Sequence, residues 1–393
     1  MSTDGNSLAG ALAATLQAIE IHKLITQGPH SSIAGHEVFF DAQHPAHQLS
    51  RLDRNPRCRF SHVRYALREA PVSTLADAFG LTPGSRDEKS LFVPERPFVS
   101  RLLCSACGHE EPNWRIRDSL DVPALACPEC ANPRRVRGFD LAERLHGVAL
   151  SADSLGRPLA ELGLRQGDVF GIASAETVIE HFILTDPERG DPRPRGVSIL
   201  VAGLGNIGSF LVPHLARMQT VQQITLCDPD IYEAGQQIGQ DFPLEAVGRN
   251  KAEAQADRIR AIRPDLEVEA VPTRVEDLPM GRIHAAIIVS CLDSRAARLR
   301  LAARAWRVGS PFVDAAVGGG SSLLVRTHVV LPGTDAACFE CSFEARDYET
   351  LEQVFPCDIE TDRNARDAPI PVEMPIVGIG TDSADERIEV TRG

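Results

Sequence analysis

Long apolar runs are missing from this sequence: nowhere do about 18 consecutive apolar residues occur, the length a membrane-spanning helix needs. The apolar stretch 8–19 follows Asp4 rather than a positive charge and contains Gln17, so it reads as neither a spanning helix nor a secretory signal. Positive charge is also in deficit. With 41 Lys and Arg against 54 Asp and Glu, the formal net charge is −13, which argues against a general electrostatic grip on nucleic acid or an anionic membrane. The expected partners are small molecules or proteins, in the cytoplasm. Lysine is nearly absent: Lys23, Lys89 and Lys251 are alone among the 41 basic residues, so each one that persists draws attention. No tandem repeat, low-complexity tract or His-x-x-x-His pair is present.

What the chain has is an ordinary globular balance, 43% apolar and 24% charged over 393 residues, enough for one large core and two or more domains. It also has ten cysteines, which without a signal point to thiols and metal rather than disulfides. Cys104 and Cys107, then Cys127 and Cys130, are two thiolate pairs separated by 19 residues, the spacing of a structural zinc ribbon; the alternative is a redox dithiol. Cys338 and Cys341 make only a half-site. Cys227 and Cys291 lie on apolar stretches and read as core.

Along the chain, residues 7–26 carry Leu8, Leu12, Leu16 and Ile19 at helical spacing, a predicted amphipathic helix capped by Asn6 or Ser7 and stopped by Gly28-Pro29. A short strand at 37–41 follows, then Cys58 and His62, which close a first segment, 1–62. Residues 63–97 are weakly patterned and read as a connection. The zinc-ribbon module spans 98–184, with 158–164 as a short helix and a strand beginning at 168–170. Residues 185–196, with three prolines among charges, form a linker. Beyond it, apolar strands at 197–202, 223–228 and 284–290 alternate with helices at 206–218, 249–262 and 294–308. This predicts an α/β fold over 197–380, a doubly wound, mostly parallel Rossmann-like sheet with helices on both faces, followed by a tail, 381–393.

Gly203-Leu204-Gly205-Asn206-Ile207-Gly208 directly follows the first of these strands and opens a helix, the context in which such glycines cradle a phosphate. Asp228, 20 residues after Gly208 at the end of the next strand, is placed to accept hydrogen bonds from ribose hydroxyls. The alternative is a glycine turn that merely packs helix on strand.

Further motifs identify a resemblance. Asp228-Pro229-Asp230, Val247-Gly248-Arg249-Asn250-Lys251, Cys291-Leu292-Asp293 and Cys338-Phe339-Glu340-Cys341 occur in the order of the ThiF/MoeB and ubiquitin-activating-enzyme superfamily, which 197–380 resembles. The resemblance implies ATP-dependent adenylation of the carboxy terminus of a ubiquitin-like or sulfur-carrier protein, as in bacterial ubiquitin-like conjugation systems. A conjugating enzyme, a homodimer or a second lobe are its possible further partners. It implies a phosphate-contacting role for Lys251, a magnesium-binding role for Asp293, and nucleotide contacts at Gly203, Gly205, Asn206, Gly208, Asp228 and Asp230. Such chemistry needs a cation and a metal ligand because charge develops on the phosphates. The bland alternatives are a solvated lysine at 251 and a helix N-cap at 293.

Two departures accompany the match. Gln236 and Gly239 stand where the family has a phosphate-contacting asparagine and arginine, which favours a non-catalytic scaffold that binds a carrier or a partner lobe. The second concerns the ends. Cys357, in a segment resembling a crossover loop, is the candidate thioester nucleophile, with an inert loop cysteine or a zinc ligand as alternatives. The family's closing helix, strand and cysteines are missing after Gly380 but resemble residues 5–62. Either those residues belong to a truncated first lobe, or they complete this domain and a second zinc joins Cys58 and His62 to Cys338 and Cys341. A nicotinamide-dependent oxidoreductase is a further alternative, without a recognisable hydride-transfer pair.

Overall fold

The computed structural model describes residues 7–351, except 45, 83–89, 148–149, 174–178, 187–195, 319–322, 334–335, 345–346 and 349–350. Cys357, most of the 185–196 linker and the 381–393 tail lie outside the described residues. An eight-stranded sheet organises the main body. Its elements in chain order are α1 (Ser7–Thr26), β1 (His36–Asp41), β2 (Ala46–Arg51), β3 (Ser198–Ala202), α2 (Gly208–Ala216), β4 (Gln223–Cys227), α3 (Lys251–Ile262), β5 (Glu267–Val271), β6 (Ile287–Ser290), α4 (Arg295–Val308), β7 (Phe312–Val317) and β8 (Leu324–Val330).

The strand order is β5-β4-β3-β6-β7-β8-β1-β2. From β5 to β7 all pairs are parallel, and β3 and β6 bury every residue, as strands covered on both faces must. From β7 onward the pairs are antiparallel. The last two strands come from the start of the chain: Glu37 of β1 pairs with His328 of β8. One face is covered by α1, α2 and α3, the other by α4 and the helix Met280–Ile283.

The predicted face of α1 is corrected in part by its packing: Leu12 and Leu16 do pack against the core, at the edge of the buried stripe. Leu8 and Ile19 are 72% and 45% exposed, whereas Ala9, Gly10, Ala13, Ala14, Gln17, Ala18 and Ile21 are buried. α1 lies against α2, β7 and β8, and small side chains let its backbone approach more closely than leucines would. Gly10 marks the closest point: a Cβ there would lie 1.6 Å from Asn206 Oδ1.

Residues 63–97, read as a connection, instead contribute structure. Arg68–Ala70, Glu180–Leu184, Val169–Ala173, Leu91–Pro94 and Leu145–His146 form, in that order, a second sheet around Phe92, Phe170 and Phe182. The alternation at 91–94 is too short to stand out from sequence. The expected helix at 158–164 is a set of turns, with Gly163 at φ +86°, while the helix lies just before it at Ala152–Gly156. A third sheet, Glu110–Ile116, Phe98–Leu103 and Leu141–Ala142, adjoins the Cys104–Cys130 segment. These sheets dock on the main body through Glu95, whose carboxylate accepts from Arg304 at 2.6 Å and from the Met280 backbone N–H at 3.1 Å.

Candidate nucleotide and metal sites

The loop between β3 and α2 tolerates glycine alone at two points. A Cβ on Gly203, at φ +89°, would lie 2.6 Å from the Cys291 carbonyl oxygen, and one on Gly208 would lie 2.0 Å from that of Gly203. The loop is therefore wedged against the end of β6, at the carboxyl end of the sheet where open α/β folds bind ligands. Asn206 turns its side chain toward Gly10 of α1, and neither amide atom has a hydrogen-bond partner.

Asp228 follows β4 and is 5% exposed. Its Oδ2 accepts from the Leu204 N–H at 2.6 Å and its Oδ1 from the Asp230 N–H at 2.9 Å, which binds the acidic turn to the glycine loop. Burial pushes this carboxyl above the usual carboxylate range, with the Lys251 ammonium opposing it. Asn250 caps α3, accepting from the Ala252 and Glu253 N–H groups, while its amide donates to the Asp228 and Asp230 carbonyls. That capping places Lys251, the first residue of α3, beside the same turn. Lys251 is 5% exposed rather than solvated, with Nζ 3.4 Å from Asp230 Oδ2.

Asp293 is exposed and accepts from the Ser294 N–H at 2.7 Å. The N-cap of α4 is Ser294, whose hydroxyl accepts from Ala297, so capping does not account for Asp293. Gln236 is half-buried and accepts from the Glu233 N–H at 3.2 Å, within its own turn. Sequence reading missed Gln240: its Nε2 lies 3.9 Å from where a Gly205 Cβ would stand, and its buried Oε1 has no partner. It missed Tyr232 too, whose buried hydroxyl donates to the Leu204 carbonyl and accepts from Gln255. The residues fit a nucleoside triphosphate: a glycine cradle, an unpartnered amide oxygen beside it, a buried carboxylate and a lysine on one turn. An exposed carboxylate such as Asp293 is the hard oxygen ligand that magnesium prefers.

Two clusters have the donors of a tetrahedral metal centre. Cys104 and Cys130, and Cys107 and Cys127, are each 3.6 Å apart between sulfurs. The two halves have the same turn form: the Gly108 N–H donates to the Cys104 carbonyl and the Ala131 N–H to the Cys127 carbonyl, with Gly108 at φ +76° and Ala131 at φ +58°. Hydrogen bonds from Asn132 lower the Cys130 thiol to about 6, favouring the thiolate a metal needs.

The second cluster unites Cys58, His62, Cys338 and Cys341, whose donor atoms all lie within 4.8 Å of one another. Separations are 3.6 Å for Cys58–Cys338, 3.7 Å for Cys338–Cys341 and 3.2 Å for His62 Nε2 to Cys341. Sulfurs about 2.3 Å from a zinc ion are about 3.8 Å apart in a tetrahedron, so both donor sets fit zinc. His62 holds φ +56°, a conformation a non-glycine residue keeps only when its surroundings enforce it.

Comparison with known proteins agrees with the resemblance read from the motifs. Residues 187–362 match the ThiF family. The sulfur carrier protein ThiS adenylyltransferase of Escherichia coli is 28% identical over 199 residues, covering 50% of this chain and 72% of that protein. The ubiquitin-like modifier-activating enzyme 5 of Dictyostelium discoideum is 24% identical over 161 residues, covering 37% of this chain and 42% of that one. Among solved structures, the E. coli tRNA N6-threonylcarbamoyladenosine dehydratase TcdA aligns with a TM-score of 0.29 at 29% identity, over 32% of this chain and 54% of that one. The chain thus spans about half the length or less of the last two. The part of this chain that resembles the ThiF family is thus residues 187–362.

Proposed function

We propose that this chain uses ATP to adenylate the terminal carboxylate of a ubiquitin-like or sulfur-carrier protein. The observation that carries the reading is the gathering of the glycine loop, Asp228, Lys251 and Gln240 at the carboxyl end of the sheet. The name of the E. coli relative, an adenylyltransferase acting on a sulfur carrier, supports it.

In this mechanism Gly203, whose N–H is bonded to the Cys227 carbonyl, shapes the loop, the N–H groups around Gly205, Asn206 and Gly208 hold phosphate oxygens, and Asp228 accepts from the ribose hydroxyls. Lys251 exchanges Asp230 for the phosphates, where its charge is worth most as negative charge develops. Asp293 would hold magnesium, which supplies further neutralisation of the phosphates. A carboxylate oxygen of the carrier attacks the α-phosphorus, the bond to the bridging oxygen breaks, and pyrophosphate leaves with the electron pair. The product is an acyl adenylate. A thiolate at Cys357 would then attack the acyl carbon and displace AMP to leave a thioester. Both cysteine clusters, on this reading, hold structural zinc; four protein ligands leave neither ion an open position for catalysis.

Gln236 favours a second reading, a scaffold that binds nucleotide and carrier without turnover, because its side chain is engaged in its own turn and no arginine stands at 239. Pyrophosphate exchange with candidate carriers separates the two. Label incorporated into ATP supports adenylation, ATP binding without exchange supports the scaffold, and binding of NAD in place of ATP overturns both. A reducible adduct with the carrier that persists in Cys357→Ser removes the nucleophile role from that residue.

A further inference from the structure

Gln17 is the polar exception on the buried face of α1. It is 0% exposed among Ala13, Ala14, Ala18 and Ile21, where an amide left without partners would destabilise the fold. The cost is avoided by two hydrogen bonds. Nε2 donates to the Ser290 carbonyl at 2.9 Å, and Oε1 accepts from the Cys291 thiol at 3.4 Å. Ser290 ends β6, and Cys291 begins the turn that carries Asp293. The same turn is tied to the glycine loop's strand, since the Cys291 N–H donates to the Ala202 carbonyl at 2.8 Å. From the opposite face of the sheet, Arg298 Nε donates to the Leu292 carbonyl at 2.5 Å, and its guanidinium lies 3.8 Å from buried Asp314. The turn is therefore gripped between α1 and α4.

We propose that Gln17 is a positioning residue, supplied by the start of the chain, that fixes the 290–293 turn and so the placement of the Asp293 carboxylate for magnesium–ATP. The inference rests on the nucleotide reading above. A leucine of nearly the same volume would preserve the packing and remove only the grip on the turn. Only the ligand that needs the Asp293 carboxylate would then suffer; AMP, held by the glycine loop and Asp228, would not.

The test is calorimetric titration of the full chain with ATP over a magnesium series and with AMP alone, comparing the wild type with Gln17→Leu. The expected result is at least a tenfold rise in the magnesium needed for half-maximal ATP binding, with AMP affinity changed less than twofold. Unchanged magnesium dependence, or equal losses for ATP and AMP, overturns the inference. Should Gln17→Leu fail to fold, Cys291→Ala and Cys291→Ser decide. Serine keeps a donor to Oε1 and should match the wild type, whereas alanine should raise the magnesium requirement about threefold; identical behaviour of the two overturns the inference. A wild type that binds neither ATP nor AMP overturns the nucleotide reading itself, before any variant is compared.

Discussion

The sulfur of Cys58 lies 3.6 Å from that of Cys338, although 280 positions separate the two in the chain. A reading in which residues 5–62 belong to another lobe needs those sulfurs far apart. Their contact, together with the β1–β8 pairing, sets the first segment inside the same domain as 198–342.

Metal analysis should accordingly give two zinc ions per chain. Cys58→Ser should lower the content to one and expose the 52–67 segment to limited proteolysis, while Cys104→Ser should lower it to one and leave that segment protected. Two retained zinc ions in Cys58→Ser would remove Cys58 from the site.

At the proposed nucleotide site, Lys251→Ala and Asp293→Ala should each weaken magnesium–ATP binding or turnover at least tenfold, about 1.4 kcal/mol. Affinity and rate both unchanged in both variants would sink the assignment.

Gly10→Ala tests the contact between α1 and the glycine loop. In an exposed helix this change stabilises by about 1 kcal/mol. Here the added methyl would meet Asn206 Oδ1, so the expected effect has the opposite sign, a loss of about 1–3 kcal/mol seen in thermal or urea unfolding. Adding Asn206→Gly should recover only part of the loss, since the Asn206 backbone oxygen stays 2.7 Å from the added methyl.

His181 provides a pH signature. It stacks on Tyr65 with ring centroids 3.6 Å apart, and burial, aided by the Arg307 charge, lowers its pKa from 6.5 to about 4. The folded chain thus favours the neutral ring, and between these values the unfolded chain binds more protons. Stability should be undiminished above pH 6.5 and fall as pH drops from 6.5 toward 4. His181→Phe should flatten that part of the profile relative to the wild type; identical slopes would contradict the assignment.

Much of the parallel half of the sheet was legible because its signals are local. A buried, largely apolar strand such as 198–202 and the glycine turn directly after it each declare themselves within a few residues. The buried face of α1 was not, since the leucines give the stronger hydrophobic signal while the stripe Gly10, Ala13, Ala14, Gln17, Ala18 and Ile21 meets the core. That small-residue spacing was the available clue. Gln240 was invisible because its significance comes from facing Gly205, a relation that spacing along the chain does not encode. The sheet containing Leu91–Pro94 escaped because its strands are short and two of its neighbours lie far downstream, at Val169–Ala173 and Leu145–His146.

The union of β1 with β8 also sets a timetable. A ribosome adding ~5–20 residues per second takes on the order of 14–56 s to cross the 280 positions from Cys58 to Cys338. For most of that interval β1 and β2 lack the β8 strand through which they join the sheet, and Phe39 and Phe40 remain without their partners Arg326 and Val325. The middle sheets, complete by Leu184, can form first. Residues made long before β8 are thus among the last to settle, and nascent chains halted before residue 324 should display them to chaperones and proteases.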